Sequence, residues 1–188
     1  IKGCFAPFFY WNTNKTNFFI YSSMLHITYG SNATFYVTTE DKRIDTSVAS
    51  TQIRLLFKFI NDMTGATKYA YGTSTSHNDA NRIYQRYTSV LISHNTSEDV
   101  FTGKVNFKPY GYWKYEIYEV SFNGTVPTLD ANTAPINESD VANNTSSVHG
   151  VVKGKVEEGK LYVTETSGSE QVRYTEHTET TTNYLYTN

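Results

Sequence analysis

The sequence predicts an all-β protein, an antiparallel β-sandwich, on three observations. Residues 109–122 read Pro-Tyr-Gly-Tyr-Trp-Lys-Tyr-Glu-Ile-Tyr-Glu-Val-Ser-Phe, an aromatic and β-branched run suited to a pleated, half-buried strand. Ile53, Leu55, Phe57 and Phe59 alternate with Gln52, Arg54, Leu56 and Lys58, the period of a strand with a core face and a mostly polar face. Aromatics make up 15% of 188 residues, with 16 Tyr and 11 Phe, so much of the apolar content is of the kind sheets bury. Helix is expected to be minor.

In the 109–122 strand, Trp113, Tyr115 and Ile117 share one face, and Tyr118, Val120 and Phe122 the other. Lys114 and Glu116 interrupt that second face, so the strand is expected to be open to water at one end and covered on both sides at the other. The preceding Pro-x-Gly marks a tight corner.

Taken in order, residues 1–32 form an N-terminal aromatic arm and strand. Phe5, Phe8, Phe9, Tyr10 and Trp11 are interrupted by Pro7 and a polar run at 12–17 that breaks any long helix, and a strand follows at about 18–28. These rings pack either on their own sandwich or on a neighbouring subunit. The β-sandwich core is placed at 33–122. It begins with a strand from Ala33 to Thr39 and a solvated turn at 40–43. The 53–59 strand then turns at Asn61-Asp62-Met63-Thr64-Gly65, with Gly65 available for a positive φ, and returns through Thr67, Tyr69 and Tyr71. A polar loop at 72–81 precedes a strand at about 82–93. Phe101, Val105 and Phe107 mark another, with Gly103 a possible bulge. Residues 123–147 hold no aromatic residue and read as a linker or long surface loop. Residues 148–188 are the C-terminal part, a hairpin of 148–156 and 160–164 around Glu157-Glu158-Gly159 followed by an extended arm ending in Tyr184 and Tyr186. That polar arm cannot form a core alone, and its backbone groups call for a sheet edge.

Composition excludes several function classes. Net charge is −2 without a basic block, so no specific nucleic acid is expected. No apolar run approaches a membrane span, and residues 1–27 lack the charged-then-apolar layout of a secretory leader. The single cysteine, Cys4, allows no intramolecular disulfide. It reads as a small apolar residue, or as one half of an intermolecular bridge. His26, His77, His94, His149 and His177 form no pair at metal-ligand spacing. His77 with Asp79 reads as surface loop. Glu176, His177 and Glu179 read as solvated. Glu116 and Glu119, three apart, fall on opposite faces, unlike the paired carboxylates of glycoside hydrolysis; Glu116 is expected to pair with Lys114 or a neighbouring strand. No nucleophile elbow or phosphate-binding loop is present. The expectation is no catalysis, no cofactor and no metal site. Asn14, Asn32, Asn95, Asn123, Asn137, Asn143 and Asn144 each begin an Asn-x-Ser/Thr triplet, as glycan acceptors do and as an Asn-, Ser- and Thr-rich chain does by accident. Exposed Tyr, with 71–84 as candidate loop, permits an alternative, a secreted adhesin or glycan-binding β-sandwich module.

Two resemblances carry the reading further. Gly111-x-Trp113-x-Tyr115-x-Ile117 after a proline resembles the corner-to-strand pattern of immunoglobulin-like and fibronectin-like sandwiches, with Trp113 where a Tyr is usual. From Leu55 onward, residues 57–64 (Phe-Lys-Phe-Ile-Asn-Asp-Met-Thr), 86–88 (Arg-Tyr-Thr), 111–120, 159–163 (Gly-Lys-Leu-Tyr-Val) and 171–177 (Gln-Val-Arg-Tyr-Thr-Glu-His) resemble small virion-associated proteins of tailed phages, marine and crAss-like. The resemblance implies a non-enzymatic component of a virion. It would be a capsid-associated decoration or head–tail connector protein, a homo-oligomer partnered by capsid or portal and neck proteins. Phe5, Phe8, Phe9, Tyr10, Trp11, Tyr184 and Tyr186 would then supply the protein-binding contacts of the arms.

Overall fold

The structure, a computed structural model, describes residues 24–73, 88–142 and 147–166. Eight strands carry the fold: β1 (Leu25–Thr28), β2 (Ala33–Val37), β3 (Ile53–Asn61), β4 (Thr67–Tyr71), β5 (Thr88–His94), β6 (Lys104–Val105), β7 (Gly111–Phe122) and β8 (Gly150–Thr164). The helical elements among the described residues are two three-residue 3₁₀ turns, Glu40–Lys42 and Ser50–Gln52. The all-β class is therefore observed. The strands form a five-stranded sheet in the order β1-β8-β7-β3-β4 and a three-stranded sheet in the order β2-β5-β6. Both are mixed rather than purely antiparallel, because β1 runs parallel to β8 and β6 parallel to β5.

Alternation along β3 and β7 builds the core as expected. Leu55, Phe57 and Phe59 join Trp113, Tyr115 and Ile117 on the inner face, where Phe35, Val37, Val90, Ile92, Val105 and Phe107 of the smaller sheet's side meet them. Phe107 stands edge-on to both Phe59 and Trp113, with ring centroids 5.0 and 5.7 Å away. Each such fully buried large side chain contributes roughly 1.5–3 kcal/mol relative to an exposed one. On the other face, Leu56, Tyr71, Val120, Phe122 and Ala134 form a second buried cluster.

Local chemistry sets the corners. The side-chain oxygen of Asn61 accepts bonds from the Met63 and Thr64 amides at 3.0 and 2.9 Å, and Gly65 has φ +70°, so the β3–β4 turn forms as read. At the β7 corner Gly111 has φ +106°. The Trp113 indole donates to the Pro109 carbonyl at 3.1 Å.

Four expectations are corrected or refined. The 148–156/160–164 hairpin is absent: β8 runs unbroken from Gly150 to Thr164 and pairs along all of β7. Gly159 serves close approach, not a turn, since a Cβ there would lie 2.6–2.8 Å from the Tyr115 ring and hydroxyl opposite it. Two bulges in β8, skipping Lys153 and Val156 in the pairing with β7, let a charged, glycine-containing stretch stay in phase. The strand expected across 101–107 shrinks to two residues; Phe101 turns to the outer cluster and Phe107 to the inner one. Gly103, with φ +71°, makes a turn in which a Cβ would meet the Tyr71 carbonyl at 2.8 Å. Finally, 123–142 is a surface loop that packs rather than a free linker. Val126, Leu129 and Ala134 cover the outer cluster, and the Tyr71 hydroxyl donates to the Pro135 carbonyl at 2.7 Å.

Candidate functional site

The residues expected to bind neighbours, Phe5, Phe8, Phe9, Tyr10, Trp11, Tyr184 and Tyr186, lie outside the described residues, as do Cys4, His77, His177 and most of the 71–84 loop. What the structure places is where those segments join the body. Residue 24 leads into β1, and β8 ends at Thr164. These strands are neighbours at one sheet edge, with Leu25 opposite Leu161 and Thr28 opposite Thr164. Both flanks therefore leave from the same edge. Among the described residues, β1 covers only the last four residues of β8. The rest of that margin carries Lys153, Lys155 and Lys160 and both bulges, features that discourage uncontrolled strand addition.

The outer face of the large sheet is organised in rows that run across the strands. The first is aromatic: His26, Tyr162 and Tyr112 stand opposite one another on β1, β8 and β7. Their inward neighbours Leu25, Ile27, Leu161, Val163 and Trp113 are core residues, which fixes the three rings on the outside. Ring centroids are 6.0 Å apart for His26–Tyr162 and 4.8 Å for Tyr162–Tyr112.

The next row sets Lys160 opposite Lys114, and the row after it sets Glu158, Glu116 and Lys58 in line. Like charges directly opposite would repel, so each row answers the other. Lys114 reaches Glu116 at 2.8 Å and Glu158 at 3.5 Å, and Lys160 reaches Asp62 at 2.6 Å. Lys58 lies between Glu138, at 2.5 Å, and Glu116, at 3.9 Å. Tyr118 and Tyr69 donate to Glu116 and Glu138 at 2.9 and 2.7 Å. Burial pushes the Glu116 carboxyl up, but the Lys114 and Tyr118 hydrogen bonds and the lysine charges outweigh it and hold it below its ordinary value. Glu138 behaves alike, with Lys58 and Tyr69 as the outweighing partners. Beyond these rows the face is apolar and lies under residues 123–142.

Glu119 falls on the opposite face from Glu116, as the spacing requires. It is 1% exposed and accepts the Ile44 and Asp45 amides at 3.0 and 2.7 Å. Asp45 in turn accepts from Ser121 at 2.9 Å and meets Lys153 at 3.2 Å. Hydrogen bonds from Ser47, Ser121 and Lys153 hold its carboxyl well below the usual range. These carboxylates anchor the β2–β3 connection to the sheet. Nearby, Glu157 accepts the Thr38 amide at 3.1 Å and lies 3.9 Å from Lys42; burial pushes its carboxyl up. Burial, with Glu157 beside it, also pushes the Tyr115 hydroxyl up to about 12.

No three His, Cys, Asp or Glu among the described residues come together as a metal site, and no described helix is long and apolar enough to cross a membrane. Sequence reasoning missed the aromatic row because its three members belong to distant strands. The signal was Tyr162 and Tyr112 alternating with buried neighbours, but only the β1–β8–β7 register puts them side by side. No protein-family model matches the chain, and no curated protein or solved structure matches it either.

Proposed function

We propose that this chain is a non-catalytic structural component of a tailed-phage virion, capsid-associated or at the head–tail junction, built on an immunoglobulin-like sandwich. Its flanking segments bind neighbouring subunits. The observation that carries this reading is the common edge: the described body joins residues 1–23 and 167–188 through adjacent strands, β1 and β8. Two strand-prone segments joined to one sheet edge, at opposite ends of the parallel β1–β8 pair, can engage neighbours along that one margin, and each raises the effective concentration of the other. Asp45, Glu116, Glu119, Glu138 and Glu157 are bound to lysines, hydroxyls and backbone amides, which supports a structural role for them. The resemblance of 57–64, 111–120 and 159–163 to virion-associated proteins supplies the particle context.

Sedimentation of the full chain against chains lacking 1–23 or 167–188 tests this. The full chain is expected to be a homo-oligomer that copurifies with particles, and each truncation is expected to weaken both properties. A chain lacking 167–188 that assembles as tightly as the full chain overturns the role of the C-terminal segment. A full chain that stays monomeric and does not copurify overturns the whole reading.

A further inference from the structure

We propose that the row His26–Tyr162–Tyr112 is a binding site for a single chain of neutral pyranose sugars, a role that stands independently of particle assembly. The three rings lie against one another across the strands, at 6.0 and 4.8 Å between centroids. Here Tyr112 keeps 54% of its surface open, and a third ring, exposed His26, continues the line. Residues 123–142 pack on the other end of this face. Aromatic rings present apolar faces to the C–H faces of sugars, while hydroxyl and charged groups at their margin bond sugar hydroxyls.

The margin is supplied by the lysine row. Lys114 and Lys160 are each matched by carboxylates, at 2.8 Å from Glu116 and 2.6 Å from Asp62. The patch therefore offers hydrogen-bond donors and acceptors without the surplus positive charge that a polyanion such as single-stranded nucleic acid needs. Neighbouring rings are tilted to each other, by 33° for His26–Tyr162 and 47° for Tyr162–Tyr112, so the row is not one flat platform. Rings tilted in this way suit one flexible chain in solution and not the flat face of a crystalline polysaccharide.

The test uses the full chain with cellohexaose, chitohexaose and maltohexaose, read by calorimetry and by amide chemical shifts. At least one is expected to bind saturably and to shift β1, β7 and β8 amides. Tyr162→Ala, the central ring, is expected to weaken binding by about tenfold or more, and Tyr112→Ala by several-fold. Tyr36→Ala, at a 60% exposed tyrosine on the other sheet, should leave it unchanged. Urea midpoints show whether the variants remain folded; should Tyr162→Ala unfold, the exposed Tyr112→Ala decides. Absence of binding by all three sugars at millimolar concentration overturns the proposal. So does equal binding by the Tyr112→Ala variant, or preference for an anionic oligonucleotide.

Discussion

The two faces of β7 are built from the same twelve residues and do opposite things. Inward, Trp113, Tyr115 and Ile117 are sealed by strands of both sheets. Outward, Tyr112, Lys114, Glu116 and Tyr118 pass from water to partial cover, and Val120 and Phe122 end under the 123–142 loop. The inner face is closed by strands over Trp113, Tyr115 and Ile117 and by the 43–48 segment over Glu119 and Ser121, whose polar groups are hydrogen-bonded to it. The outer face is closed only where apolar residues need it, and elsewhere it balances charge against charge. Stability should therefore reside mainly on the inner face, and solvent-facing chemistry on the outer.

Trp113→Ala gives the sharpest break. It removes a fully buried indole and its bond to the Pro109 carbonyl, with an expected cost of about 3–5 kcal/mol in urea unfolding. The adjacent outward Tyr112→Ala should cost about 0.5 kcal/mol or less; comparable losses would mean that the faces are not distinct. Next comes Gly159→Ala, which drives a methyl into the buried Tyr115 ring and should cost about 1–3 kcal/mol. In a double-mutant cycle with Tyr115→Ala that cost should largely vanish. Glu119→Gln is expected to cost about 1–3 kcal/mol, because one of the two amides of the 43–48 segment loses its acceptor. Faster amide exchange at Ile44 and Asp45 would report the loss directly.

The smallest effect is a difference in sign with pH. Glu116 and Glu138 on the outer face have lowered folded-state values, so their contribution is present above the ordinary carboxylate value and is lost as pH falls from it through the lowered folded one. Glu157 at the inner seam is raised, so its contribution is present below the ordinary value and is lost as pH rises toward the folded one. Urea midpoints between pH 3 and 7 should accordingly show Glu116→Gln flattening the acid-side decline and Glu157→Gln steepening it. Parallel profiles for the two variants would contradict the assignment.

Residues 53–71 and 109–122 are legible from the sequence alone. The alternation in β3, the Asn61–Gly65 turn, the two faces of β7 and the separation of Glu116 from Glu119 all follow from a period of two and from turn chemistry. Residues 150–164 are not legible in this way. Glu-Glu-Gly has turn composition, yet the chain runs straight through it, because β7 offers a full-length partner and Tyr115 needs space that only a glycine leaves. Residues 123–147 read as a linker or long surface loop because their few apolar residues lack periodicity; within 123–142 the exposed half of the sheet gives Val126, Leu129 and Ala134 something to cover.

By itself the sequence determined the class of structure, the strands with strong alternation and the faces of each, because side-chain direction and local backbone preference are properties of neighbouring residues. Tertiary structure alone decided the parallel β1–β8 pairing, the bulges that keep β8 in phase, and the meeting of His26, Tyr162 and Tyr112. Those depend on register between segments up to 136 positions apart. Register is chosen by which whole-sheet arrangement buries the most apolar surface while pairing the most backbone, and no local pattern carries that sum.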